Sequence, residues 1–256
     1  EKNIVKMGRH QIDKKNKDLI ILVIGEPGTG KSSLTLLLEN FLRGGEVDFS
    51  KWSYTHNQHT AHFRKNKREV LNYDEGRDSY YRRNAMSKKN TEALNMLFQY
   101  RFKNHICFIN FQNVSDIEPD LLYDRSHALI RVTHQGWFHF FSNERKDSIS
   151  VDSKTKKVDY PDPNFRGAFP DPAEELPDIW KEYEKDNEEK LEEQAEKEEE
   201  HDSTPTSWLS TGDFAEKVSL SPHKVREWCD EGKLDHKRLP NGDRRIPEDQ
   251  IDEILD

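Results

Sequence analysis

"LIILVIGEPGTGKSSLTLLL", residues 19–38, decides how the chain is read. Leu19–Ile24 is an unbroken run of branched apolar residues, the pattern of a strand buried on both faces. "GEPGTGKS" follows it and matches G-x-x-x-x-G-K-[ST] at Gly25, Gly30, Lys31 and Ser32. Glycines let the backbone curl so that successive N–H groups face phosphate oxygens, and the helix that follows points its positive dipole end at the same charge. A Gly-rich turn is the plain alternative, but a strand before the motif and a helix after it make the phosphate reading specific. Gly25, Pro27, Gly28, Thr29, Gly30, Lys31, Ser32 and Ser33 are therefore the expected ATP contacts. Lys31 is expected to reach the β- and γ-phosphates, and the Ser32 hydroxyl to bind Mg²⁺.

A loop of this kind needs an acid at the end of a neighbouring strand. "EVLNYDEG" supplies a strand over Val70–Tyr73 that leads to Asp74 and Glu75. Asp74 is the candidate magnesium acid, and Glu75 the candidate general base for an attacking water. A surface acidic turn is the bland reading of the same pair. The strand "ICFINFQN" ends in Asn110 and Gln112, of which Asn110 is the first choice to sense the γ-phosphate or orient the water; a polar strand cap is the alternative. Arg77, Arg82, Arg83, Arg101 and Arg125 are candidate arginine fingers, with Arg125 preferred for its place before the strand Ala128–Thr133. Arg82, Arg83, Lys88 and Lys89 form a basic cluster suited to a DNA backbone. His56, His59 and His62 recur every three residues, a spacing at which a helical zinc site is conceivable and surface histidines are the commoner outcome.

Working outward, a helix is expected over Ser32–Arg43 and a long polar one over Met86–Lys103. Strands alternating with helices imply an α/β fold with a mainly parallel sheet. "WFHFFS" and "SISVDSKTKKVDYP" read as antiparallel edge strands. The prolines of "YPDPNFRGAFPDPAEELP" are expected to end ladder pairing. Residues 1–173 are thus a P-loop ATPase domain, 174–205 an acidic helical or disordered linker, and 206–256 a small third part. In the linker, Ile179, Trp180 and Tyr183 are the apolar residues that would dock its start on the ATPase.

Hydrophobic residues make up 32% of the chain and charged ones 35%, so part of it must be linker rather than core. The net charge of −9 is unevenly spread. Residues 171–202 hold 16 acids and 4 bases, whereas residues 1–170 hold 28 bases and 21 acids, a basic body that admits a nucleic-acid partner. Cys107 and Cys229 form no metal or disulfide pattern, which points to a reducing cytoplasm. The polar, lysine-rich start does not read as a leader peptide, and no apolar run is long enough to span a bilayer.

In the third part, Ser210 or Thr211 caps a helix containing Phe214, Ala215 and Val218, and Ser221-Pro222 starts another in which Val225, Trp228 and Cys229 face inward. "KLDHKRLPNGDRRIP" reads as a hairpin turning at Asn241-Gly242. Helix, turn, helix and basic hairpin make a winged helix-turn-helix. Its sequence closely resembles the MerR and excisionase-type DNA-binding domains. That resemblance matches Arg226 on the recognition helix and Arg244 or Arg245 in the wing to DNA-contact positions; Lys237 and Arg238 are expected on phosphates, and the outward-pointing Lys224 is a further candidate DNA contact. With 12 acids and 8 bases, residues 206–256 depart from the usual basic balance.

The block "NYDEGRDSYYRRNAMSKKNTEALNMLFQYRFKNHICFINFQN", with "RSHALIRV", resembles P-loop ATPases of the HerA/FtsK and Zot-like group of archaeal viruses and plasmids. The resemblance implies a homo-oligomeric ATPase acting on double-stranded DNA of a mobile element, in packaging, mobilisation, segregation or replication. A P-loop small-molecule kinase fused to a transcriptional regulator is the alternative, and Glu75 separates the two because only hydrolysis needs a base for water.

Overall fold

The computed structural model describes residues 2–65, 67–84, 87–152, 155, 157–202, 208–239, 242–248 and 250–251. The chain divides into two units, Glu1–Glu184 and Lys185–Asp256. The first opens with α1 (Lys2–Gly8) and a π-helical turn, Arg9–Lys14, ahead of β1 (Leu19–Ile24) and α2 (Lys31–Arg43). Next come β2 (Trp52–Ser53), α3 (His56–Lys65), β3 (Val70–Tyr73), α4 (Arg77–Tyr80), α5 (Lys88–Gln99) and β4 (Ile106–Phe111). After them run β5 (Ala128–His134), β6 (Trp137–Ser142), α6 (Asn143–Asp147), β7 (Ser150–Val151), β8 (Val158–Asp159), β9 (Phe165–Ala168) and α7 (Pro172–Glu175). A 26-residue helix, α8 (Pro177–Asp202), follows.

Seven strands form one sheet in the order β2-β3-β4-β1-β5-β6-β9. The first five are mutually parallel, and β6 and β9 extend them antiparallel. The central strand β1 is buried along its whole length. Its alternate residues feed two cores, one on each face, as the side-chain period of a strand requires. Ile20, Leu22 and Ile24 pack with Phe63, Met96 and Leu97 from α3 and α5. Leu19, Ile21 and Val23 pack with Leu34 and Leu38 of α2 and with Ile4 of α1. The polar N-terminal stretch, for which the sequence suggests no element, is therefore part of the second core.

The α/β fold with a mainly parallel sheet is present, with three corrections at its margins. Phe165–Ala168 does pair, from Trp137↔Ala168 to Phe140↔Phe165, because the prolines flank the strand and leave its own N–H groups free. Ser150–Val151 and Val158–Asp159 form a separate two-stranded sheet instead of joining the edge. The helix expected from Met86 runs over Lys88–Gln99 with Ser87 as its cap; Met86 itself lies outside the described residues.

Arg125 is also corrected. It is buried, ion-paired to the fully buried Asp18, and donates from Nε to the Leu97 carbonyl at 3.0 Å. It precedes β5, at the end of the sheet away from the loop that follows β1, so it braces the fold and is withdrawn as a finger. Two of the three histidines, His56 and His59, are internal as well. His56 Nδ1 meets Ser79 Oγ at 3.0 Å, and His59 Nε2 meets the Tyr80 hydroxyl at 2.8 Å while stacking on Tyr73. Among the described residues no His, Cys, Asp and Glu group is arranged to hold a metal ion.

The second unit contains β10 (Trp208–Ser210), α9 (Thr211–Lys217), α10 (Pro222–Asp230), β11 (Lys237–Arg238) and β12 (Arg244–Pro247), in addition to the end of α8. Its strands form a sheet ordered β10-β12-β11. Phe214, Ala215, Val218, Val225, Cys229, Leu234 and Ile246 make its core. Ser210 caps α9 and Ser221 caps α10, each accepting from the N–H three residues on. Asn241 of the expected turn, and the expected boundary at residue 206, lie outside the described residues; Gly242 has φ 88°.

Arg125→Ala strands the Asp18 carboxylate in the interior and is expected to cost about 3–5 kcal/mol of stability, read from urea unfolding. A pH effect follows from His59, whose complete burial lowers its pKa to about 3. Unfolded, it takes up a proton below about pH 6.5; folded, it does not, so its contribution to stability is lost as pH falls from there toward 3. At pH 5 the loss is about 2 kcal/mol. Urea midpoints at pH 7 and pH 5 check this: His59→Gln is expected to show a smaller drop than the parent chain.

Candidate functional site

The loop between β1 and α2 emerges where the central strand leaves the core. Gly30 is the N-cap of α2 at φ 91°, a left-handed conformation that only glycine adopts without strain. At Gly25 an added Cβ would stand 2.6 Å from Thr29 Oγ1 and 2.7 Å from the Val132 carbonyl oxygen, so no side chain fits there. Lys31 Nζ folds back over the loop and donates to the carbonyls of Gly25 (2.8 Å) and Glu26 (3.0 Å). Burial lowers the Lys31 pKa, against the pull of Asp74 and Glu75.

Strand order brings the distant acids to this loop. Because β4 lies between β1 and β3, Asn110 near its end stands between the loop and Asp74. Ser32 Oγ donates to the Asp74 carboxylate, 2.9 Å from Oδ1 and 3.0 Å from Oδ2. Asn110 Nδ2 donates to the same Oδ1. The Asn110 amide oxygen is buried with no hydrogen-bond partner. Glu75 is exposed; desolvation, then the neighbouring Asp74, raise its pKa. Lys31, Ser32, Asp74, Glu75 and Asn110 are thus brought together at one end of the sheet, and Arg125 is not.

The donor set fits a nucleotide with a hard divalent cation. A hydroxyl and a carboxylate already in contact present oxygen ligands of the kind Mg²⁺ takes. The left-handed glycines open backbone N–H groups toward phosphate. Behind Asp74, Tyr73 OH and Ser79 Oγ are 2.6 Å apart, and the His56 N–H donates to Asp78 Oδ2 at 2.7 Å, so the acid-bearing loop is tied to α3. The sequence reading did not place Gln135, Trp180 and Tyr183 at this site, yet they line a cavity with the loop. Phe169 also approaches, its ring 3.4 Å from a Cβ built at Gly30. The apolar triplet in an otherwise charged helix was the available signal.

In the second unit, Arg226 is exposed on α10, while Lys224 pairs with Glu227 at 3.0 Å. Asp230, at the end of that helix, binds both Arg244 (2.6 Å) and Arg238 (3.2 Å). The Arg244 side chain is only 15% exposed, so it clamps the hairpin to α10 and is corrected from a free wing contact. Lys237 lies 4.5 Å over the Trp208 ring, and Arg245 stands opposite it in register.

A family model described as a helix-turn-helix domain matches residues 208–256. Over that segment the chain is similar to helix-turn-helix domains. No curated protein matches the chain. Among solved structures, the genome packaging NTPase B204 from Sulfolobus turreted icosahedral virus 2, in complex with ATP-gammaS, is similar at 14% identity. That match covers 58% of this chain and 98% of the other, with a TM-score of 0.37. The DNA-packaging ATPase B204 from Sulfolobus turreted icosahedral virus matches at 15% identity, covering 59% and 100%, with a TM-score of 0.37. The N-terminal domain of zonular occludens toxin from Neisseria meningitidis matches at 14% identity, covering 58% and 95%, with a TM-score of 0.38.

Proposed function

We propose that this chain hydrolyses ATP with Mg²⁺ and couples that hydrolysis to double-stranded DNA, as a homo-oligomer serving a mobile element. The observation that carries the reading is the convergence of Ser32 and Asn110 on one carboxylate of Asp74, with Glu75 beside it. Ser32 and Asp74 would hold Mg²⁺, which supplies charge neutralisation at the phosphate oxygens. The loop N–H groups and Lys31 bind the triphosphate, Lys31 exchanging the Gly25 and Glu26 carbonyls for phosphate oxygens. Asn110, whose amide N–H donates to the Asp74 carboxylate, is the residue we favour for orienting the attacking water. Glu75 takes a proton from that water as its oxygen bonds to the γ-phosphorus and the bond to the β-phosphate oxygen breaks, leaving ADP. Desolvation, which raises its pKa, makes this carboxylate a stronger base than an ordinary glutamate.

Arg82 and Arg83 are the arginines we favour for reaching a neighbouring subunit's phosphate, since Arg83 is exposed and Arg125 is enclosed. DNA engagement is supported by the helix-turn-helix match and by exposed Arg226, Lys237 and Arg238. Tethering such a module to the ATPase raises the local concentration of DNA at it. The two free cysteines, Cys107 and Cys229, are both buried and fit work in a reducing cytoplasm. No helix among the described residues is long and apolar enough to cross a membrane.

Phosphate release measured with and without duplex DNA tests this reading. Glu75→Gln is expected to lower the rate by about 10²–10⁴-fold while ATP binding persists. Activity that appears only with an added hydroxyl acceptor would contradict it. Asp230→Asn releases the exposed Arg238 toward phosphate. It is expected to steepen the fall of log affinity with log salt by about 1 through the exposed Arg238, measured by anisotropy on a duplex.

A further inference from the structure

The cavity beside the loop is about 240 Å³, bounded by Gly28, Gly30 and Lys31 on one side, by Gln135 from the β5–β6 turn, and by Trp180 and Tyr183 of α8. Aromatic side chains are an unexpected wall for a phosphate site, since triphosphates are bound by N–H groups and cations. They suit the other half of a nucleotide. Tyr183 is buried against Phe49, Trp52 and Leu36, and its ring centroid lies 5.4 Å from that of Trp52. It anchors α8 in this unit. Trp180 sits outward of it, with ring centroids 5.0 Å apart and planes 36° from parallel. The Trp180 indole N–H donates to Glu184 Oε1 at 2.9 Å, which fixes the ring's orientation. The Phe169 ring lies beside Gly30, and the Phe169 N–H donates to the Gly136 carbonyl at 2.8 Å.

We propose that Trp180, backed by Tyr183, is the surface on which the purine ring of the bound nucleoside triphosphate stacks, with the exposed Gln135 amide at the edge of the base. Base recognition would then come from the helix that follows the sheet, while the loop recognises only phosphate. This rests on the reading of the loop as a triphosphate site. A held indole loses little freedom on stacking, and base–aromatic stacking is lost on alanine substitution at a cost that corresponds to about 5- to 150-fold in affinity. The amide alone distinguishes bases by hydrogen bonds, so stacking favours purines through their larger ring area.

Calorimetric titration of the full chain with ATP, and separately with inorganic tripolyphosphate, tests the proposal. Trp180→Ala is expected to weaken ATP by about 5- to 150-fold and leave tripolyphosphate unchanged, with Trp180→Phe recovering most of the loss. Lys31→Ala is expected to weaken both ligands. Unchanged ATP affinity in Trp180→Ala, with both ligands still lost in Lys31→Ala, would overturn the stacking wall and leave the loop reading standing. Equal loss of ATP and tripolyphosphate in Trp180→Ala would also overturn it, since the residue would then support the loop rather than the base. A parent chain that binds neither ligand would sink the loop reading itself, and the wall with it.

Discussion

One carboxylate ties the site together. Asp74 follows β3, accepts from Ser32 at the start of α2, and accepts from Asn110 on β4, so three elements meet at a single side chain. Their meeting depends on β4 lying between the strand that carries the loop and the strand that carries the acid. Parallel strands direct their ends, and the polar residues there, to one edge of a sheet. Removing Asp74 would leave a hydroxyl and a buried amide without their shared acceptor.

A second carboxylate, this one buried, holds α2 at the height the loop requires. Glu39 is fully buried and accepts from Trp52 Nε1 at 2.8 Å, from the Asp48 N–H at 3.2 Å and from Asn72, while pairing with Arg43 at 2.7 Å. It joins the helix after the loop to β2 and β3. Burial pushes its pKa up, and the Asp48 N–H, Arg43 and Trp52 oppose that. Trp52 in turn packs on Tyr183, so the docking of α8 and the seating of the loop helix share one aromatic cluster.

The loop, its acids and the sensing strand were legible in the sequence because each is a local requirement: a curled backbone, a hydroxyl beside a lysine, an acid at a strand end. Ser210 and Ser221 were legible for the same reason, as caps whose partners lie three residues away. Arg125 was not, because its partner Asp18 is 107 positions distant and only folding brings the two together. His56 and His59 passed for surface residues because Ser79 and Tyr80, which satisfy them, lie beyond the next strand. Phe165–Ala168 was hidden by flanking prolines, whose effect depends on which N–H groups the ladder uses. Trp180 was visible as apolar, but its closeness to the loop depends on how α8 docks.

The central claim is that water, not a substrate hydroxyl, receives the γ-phosphoryl group. A single turnover of ATP by the full chain in ¹⁸O-labelled water, with the released phosphate weighed by mass spectrometry, tests it most directly. The account predicts one labelled oxygen in the inorganic phosphate, with the label absent from ADP. Unlabelled phosphate, or phosphoryl groups found only on an added hydroxyl compound, would contradict it.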